Sequence, residues 1–176
     1  MQSLQIGSVI LFGSCKSEGF ILDTVLVVDE KQDYTAETTS TLRSQVSQTY
    51  ADVTLSRLPY NIEYLGRGAP LTFYSGVTWE QHRTGMLNHH SAFSFFPCKP
   101  VDEASEGFAR PTIELPGYIR DKQPQGRCCT PVSNPAKMLE LWEDVRDQVL
   151  RQGLYLGVWA QLPPKVDSVQ TPSSAV

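Results

Sequence analysis

The chain has 176 residues, a hydrophobic content of 40%, a formal net charge of -4 and a pI near 5.3. That length suits one domain with a sizeable core and is short for two. The acidic balance argues against a general grip on duplex nucleic acid, which needs a basic face, while leaving room for a local basic pocket. No apolar run approaches the roughly 20 residues of a membrane-spanning helix.

Two apolar runs rich in β-branched and aromatic residues, Val9 to Phe12 and Phe20 to Val28, predict a β-hairpin whose connection is bracketed by Gly13 and Gly19. Strict alternation would put Phe20, Leu22, Thr24, Leu26 and Val28 on one face and Ile21, Asp23, Val25 and Val27 on the other. Asp23 is therefore expected among apolar neighbours, where a carboxylate needs a cationic or hydrogen-bonding partner or else takes up a proton. It reads either as a structural carboxylate or as a ligand-orienting acid. The opening MQSLQ lacks the basic region of a secretory or lipoprotein signal, and Cys15, Cys98, Cys128 and Cys129 are scattered. Reduced thiols, a cytoplasmic location and no disulfide framework are the expectation.

From Asp29 to Asp52 the chain turns polar, with Leu42, Val46 and Tyr50 spaced by four, which predicts a modest amphipathic helix or a polar flap. Val53 to Leu58 gives no clean strand face before Pro59. Tyr60 to Leu65 is a short strand candidate closed by a turn at Gly66-Arg67-Gly68 and Pro70.

Leu71 to Pro97 gathers aromatics, His82, His89, His90 and Arg83 among small residues. Leu71 to Tyr74 reads as a strand that breaks at Ser75-Gly76, Trp79 to Arg83 as a helical turn, and Ala92 to Phe96 as a returning strand. Three chemistries compete here. In a nucleotide or base pocket, Phe73, Tyr74, Trp79 or Phe95 stacks on a base while Arg67, Arg83 or Arg110 meets phosphate, although aromatics in strands are more often core. Zinc could be held by His82, His89, His90, Cys98, Cys128 and Cys129, but neither a CxxC nor an HxxxH pair is present, so no metal is assigned. Acid-base or nucleophilic catalysis could pair His89 or His90 with Ser75, Ser91, Ser94 or Cys98, yet no GxSxG elbow occurs.

Val101 to Gly107 reads as a solvated acidic loop and Thr112 to Leu115 as a short strand ended by Pro116-Gly117. Asp121 to Ser133 reads as a long loop or lid edge. The clearest helix follows: Asn134 suits the N-cap and Pro135 the first turn, Met138, Leu141, Trp142, Val145 and Val149 recur at helical spacing, and Gly153 ends the pattern. Leu154 to Leu162, apolar on both faces, predicts an interior strand. Residues 1–163 are thus expected to form a single globular domain and 164–176 a loose tail.

The segments Leu11-Phe12-Gly13-Ser14, Phe20-Ile21-Leu22-Asp23-Thr24-Val25, Tyr74-Ser75-Gly76, Phe93-Ser94-Phe95-Phe96-Pro97, Arg110-Pro111 and Leu156-Gly157-Val158 together resemble bacterial nucleotide modification associated domain proteins. The resemblance implies involvement with nucleotides or modified DNA in modification or phage-defence systems. The expected architecture is α+β, a curved, mainly antiparallel or mixed sheet, conceivable as a small PUA-like barrel, with one strong C-terminal helix. The expected function is recognition or processing of a nucleotide or modified nucleobase by Asp23, Tyr74, Gly76, Arg83, Ser94, Phe95 and Arg110, without a cofactor or a membrane. Two alternatives stand beside it. One is an ADP-ribosyltransferase-like enzyme, suggested by an arginine, Tyr-Ser-Gly, Phe-Ser-Phe and the later Glu114; the other is a non-catalytic module that binds a protein partner.

Overall fold

One 16-residue strand, β2 (Gly19–Tyr34), organises the sheet. The computed structural model describes residues 4–16, 19–35, 38–55, 71–85, 91–100, 109–118 and 134–159. Along one edge of β2 runs β1 (Val9–Lys16), antiparallel, so the two apolar runs form the expected hairpin. Gly13 is not part of the connection but lies inside β1 opposite Leu22. A Cβ at Gly13 would stand 2.1 Å from the Ile21 carbonyl oxygen and 2.6 Å from the Phe20 ring, so no larger residue fits there without movement.

Three segments share the other edge of β2. β5 (Thr112–Ile113) pairs with Phe20 and Ile21, Phe95 bridges to Val25, and β3 (Leu71–Gly76) pairs from Val28 to Tyr34. Phe95 exchanges both main-chain hydrogen bonds with Val25, at 2.8 and 3.0 Å. Phe95 leads into β4 (Phe96–Cys98), which pairs antiparallel with β6 (Tyr155–Gly157).

β2 carries two bulges, and they correct the alternation expected from the sequence. Phe12 faces Thr24 while Gly13 faces Leu22, which leaves Asp23 as the extra residue. Further along, Gly76 faces Val28 and Tyr74 faces Lys31, so Asp29 and Glu30 together oppose Ser75. An inserted residue shifts the inward side chains by one position. Burial follows that shift: Phe20 and Leu22 point inward before Asp23, Val25 and Val27 after it, and Tyr34 on the far side of the second shift. Asp23 is consequently no neighbour of Val25 and Val27 on a buried face; its side chain is 41% exposed.

The main core lies between this sheet and α4 (Pro135–Arg151), a helix that starts where Asn134 and Pro135 predict. The Asn134 side chain accepts the Ala136 N–H at 2.9 Å, and Gly153, at φ +73, follows the last turn. Its stripe of Leu141, Trp142, Val145 and Val149 is buried against Leu22, Val25, Phe93, Phe95 and Ile113. Trp142 Nε1–H donates to the Phe93 carbonyl at 2.9 Å, and Arg146 stacks its guanidinium 5.2 Å from the Trp142 ring centre.

A second, smaller core of Tyr34, Leu42, Ala51 and Leu55 covers the far end of β2. The single helix expected through Leu42, Val46 and Tyr50 is instead two short ones, α1 (Thr39–Arg43) and α2 (Gln48–Val53). Ser47 separates them, because its hydroxyl accepts the Tyr50 N–H and starts a new helix. Leu42 is buried and Tyr50 is 40% exposed, so the stripe does not act as one face.

The returning strand falls at Phe96–Cys98 rather than Ala92 to Phe96. The last strand is not interior as expected: Tyr155, Val158 and Trp159 are 58%, 46% and 76% exposed. The architecture is α+β with antiparallel sheets, and the strands of the described residues do not close into a barrel. Among those residues no helix is long and apolar enough to cross a membrane. The expectations for Tyr60 to Leu65, Arg67, His89, His90, the acidic loop, Cys128, Cys129 and the tail concern positions outside the described residues.

Candidate functional site

The two bulges set out acidic side chains in two different ways. At the first, the Asp23 carboxylate receives the Nε–H of Arg110 on one oxygen and Nη2 on the other, the latter at 3.1 Å. Arg110 Nη2 also reaches Ser14 Oγ at 3.4 Å. The hydrogen bond and the charge of Asp23 hold the Arg110 guanidinium above its ordinary pKa. Arg110 thus has a carboxylate partner of its own.

At the second bulge, beside β3 and α3 (Trp79–Arg83), a cleft of about 350 Å³ opens. Its walls are Asp29, Glu30, Gln32, Gln45, Phe73, Ser75, Gly76, Thr78 and Gln81. Local chemistry fixes each wall. Thr78 caps α3 by accepting the Gln81 N–H at 3.2 Å, while Gln81 Oε1 accepts the Thr78 N–H at 2.8 Å, a reciprocal capping box. The amide nitrogen of Gln81 then donates to Asp29 Oδ2 at 2.8 Å, tying the helix to the bulge. Ser75 Oγ accepts the Glu30 N–H at 3.2 Å. Gly76 closes the floor, since a Cβ there would meet Leu26 Cδ1 at 2.4 Å and Ser94 Oγ at 2.6 Å.

The electrostatics of this cleft are one-sided. Among the described residues, two carboxylates and three primary amides line it, and no lining side chain is cationic. Asp29 spends one oxygen on a neutral amide, and among the described residues the Glu30 carboxylate has no ion-pair or hydrogen-bond partner. Such a surface accepts hydrogen bonds and attracts positive charge.

The residues singled out from sequence are dispersed. Gly76 lines the cleft, and Ser94 stands behind it, its hydroxyl accepting the Val27 N–H at 3.0 Å. Tyr74 is half-buried on β3 opposite Lys31, whereas Phe95 pairs with Val25, so the two are not cross-strand neighbours. Phe95 is 2% exposed and lies edge-on to Phe93 and Trp142, which makes it core instead of a stacking surface. Arg83 is paired with Glu80 at 2.8 Å on the surface. Neither Arg83 nor Arg110 lines the cleft. His82 packs its ring against Trp79 and Phe93, with centres 5.2 and 5.1 Å away. Among the described residues no group of three His, Cys, Asp or Glu is gathered to hold a metal ion.

Asp29, Glu30, Thr78 and Gln81 were not singled out from sequence. The T-x-x-Q spacing of Thr78 and Gln81 ahead of His82 is the signal that could have marked the start of α3. A second hollow, about 420 Å³, lies between α4 and the β5 segment. Its amides are already engaged: Gln148 bonds both the N–H and the carbonyl of Glu114, at 2.8 and 2.9 Å, and Gln152 bonds the Thr112 carbonyl. These groups fasten β5 to α4, so the bulge cleft is the better candidate. No family model, curated protein or solved structure matches the chain.

Proposed function

We propose that the chain is a recognition module for a nucleobase or nucleoside, bound in the cleft at the Asp29–Glu30 bulge by an edge rich in N–H donors. The observation that carries this reading is the lining: acceptor groups from Asp29, Glu30, Gln32 and Gln45 beside the apolar wall of Phe73, with no cation among the described residues of the lining. Purines and cytosine carry amino or imino hydrogens that carboxylates and amide oxygens accept. A volume of about 350 Å³ is of the size that small ligands occupy. The resemblance to nucleotide modification associated domains is what favours a base over other amino-bearing ligands.

This reading moves the recognised group from phosphate to base, because Arg83 and Arg110 each have a carboxylate partner away from the cleft. The PUA-like barrel belongs to the same proposal: the β2 edge continues through Phe95 into β4 and β6, the direction in which such a sheet would curl. The transferase reading has less support than base recognition. Tyr74 pairs at Lys31 and Thr112, two residues before Glu114, pairs at Ile21, which sets them on the order of 30 Å apart along β2.

Titration of adenosine, guanosine, cytidine and uridine against the protein, read by tryptophan fluorescence with Trp79 beside the cleft, tests the proposal. Binding without turnover is expected, weakened about tenfold in Glu30→Gln, as for loss of a hydrogen bond to a charged acceptor. The 5′-monophosphates should bind no tighter than the nucleosides. Absence of binding at millimolar concentration, or unchanged binding in both Asp29→Asn and Glu30→Gln, would sink the reading.

A further inference from the structure

We propose that the outer edge of β1 docks a second copy of this chain, whose own β1 adds to it antiparallel about a twofold axis at Phe12 and joins the two sheets into one. The hydrogen bonds of β2 determine which groups that edge offers. Val25 exchanges both main-chain bonds with Phe95, the Val27 carbonyl accepts the Val77 N–H, the Val27 N–H donates to Ser94 Oγ, and the Leu22 N–H donates to the Pro111 carbonyl. These three residues direct their main-chain groups to the edge of β2 away from β1. Their partners across the hairpin, Val9, Leu11 and Gly13, therefore occupy positions without ladder bonds, and their own N–H and C=O groups point outward. Alternation along β1 adds Cys15 to the set. No strand of the described residues pairs with that edge, and Val9, Leu11 and Gly13 find no other hydrogen-bond partner among those residues.

A regular edge strand is a template for another strand, and folds usually blunt it with a charge, a proline or a bulge. From Val9 to Cys15, β1 has none of these: VILFGSC holds neither a charged residue nor a proline, and the extra residue of the first bulge belongs to β2. The spacing selects a copy of the same strand as occupant. About an axis at Phe12, Val9 meets Cys15 of the second copy and Leu11 meets Gly13, so every outward residue finds an outward residue and each such pair exchanges two hydrogen bonds. An axis at Leu11 or Gly13 leaves one outward residue of each copy unpaired, and an axis midway between residues sets outward groups against groups already bonded to β2. Phe12 then lies opposite its counterpart where side chains approach most closely, which gives a partner to a phenylalanine 44% exposed in mid-strand. Lys16 falls opposite Ser8 and not opposite its counterpart, so no like charges meet along the pairing. β3 and the cleft lie on the opposite edge of β2, so this pairing stands independently of what the cleft binds.

Analytical ultracentrifugation from micromolar to millimolar protein should show a reversible monomer–dimer equilibrium. Phe12→Lys or Phe12→Glu sets two like charges on the axis and should weaken dimerisation about tenfold or more, while an equimolar mixture of the two variants should regain dimers holding one copy of each. Misfolded variants could not give that rescue. Hydrogen exchange read by NMR should show the Val9, Leu11 and Gly13 amides protected in concentrated protein and not in dilute protein, with Ile10 and Phe12 slow in both. A chain that stays monomeric throughout the range overturns the proposal, as does a mixture that regains no dimer. A dimer that survives equally in both charge variants also overturns it and moves the contact to another surface, such as that of Tyr155, Val158 and Trp159. Protection of the outer amides of a monomer only on adding an unrelated extended peptide would assign the edge to a foreign strand instead of a second copy.

Discussion

Asp23 and Arg110, 87 positions apart in sequence, meet as a two-pronged ion pair at the residue that β2 has in excess over β1. The bulge turns the carboxylate out of the sheet, and the adjoining Pro111 carbonyl accepts the Leu22 N–H at 2.9 Å, so the pair and the main chain hold the same segment. Both side chains are about half exposed, which limits the pair's contribution in water. Asp23→Asn and Arg110→Ala should each lower the melting temperature slightly and the double variant no further, and salt should shrink the difference. Arg110→Lys should restore it in part, because an ammonium lacks the planar fork. Additive losses in a double-mutant cycle would show that the pair is not coupled.

Trp142 is 2% exposed, packs against Phe93 and Phe95, and makes a buried hydrogen bond. Trp142→Ala should cost about 3 to 5 kcal/mol. Trp142→Phe keeps an aromatic ring but strands the Phe93 carbonyl, and should cost about 1 to 3 kcal/mol from that loss alone. Urea denaturation of both variants checks the order.

Gly76 and Ser94 fill one space, with the glycine yielding room for the hydroxyl that the Val27 N–H uses. Gly76→Ala should destabilise by about 1 to 3 kcal/mol through overpacking, and Ser94→Ala by about 1 to 3 kcal/mol through the unsatisfied N–H. In the double variant the missing Oγ relieves part of the clash, so the combined loss should be less than the sum. Equal or greater loss would place the strain at Leu26 instead.

Burial beside Tyr50 raises the pKa of Tyr34 above its ordinary value of 10.0, burial being the larger cause. The phenol therefore ionises more readily in the unfolded chain. Its contribution to stability is complete below the unfolded pKa and is lost as pH climbs through the folded one. Tyr34→Phe should flatten the alkaline arm of the stability profile and leave the neutral region close to wild type. An unchanged alkaline arm would assign the loss to other groups.

The elements with strong local chemistry were readable. Asn134, Pro135 and the Leu141–Val149 stripe locate α4 because capping and period act within a few residues. The bulges were not, since Phe20 to Val28 is apolar on both faces and a slip of one residue leaves the pattern looking the same. That ambiguity placed Asp23 on the wrong face and kept its pairing with Arg110 out of view. Phe95 could not be told from a stacking residue because burial depends on α4, whose Trp142 lies 47 positions further on. The cleft was missed for a related reason: Asp29 and Glu30 look like the polar end of a strand until β3 arrives opposite them.

The second bulge also divides β2 between two packing units of unequal size, fourteen buried residues at one end and four at the other among the described residues. The smaller unit has less to lose by opening, so amide hydrogens from Lys31 to Tyr34 should exchange with deuterium sooner than that of Val25, although all belong to one continuous strand. The cleft stands at the joint between them. An occupant touching Glu30 and Gln32 on one side and Thr78 and Gln81 on the other would slow exchange in the smaller unit, so mass spectrometry can detect occupancy as protection that extends beyond the residues in contact, to Leu42 and Ala51.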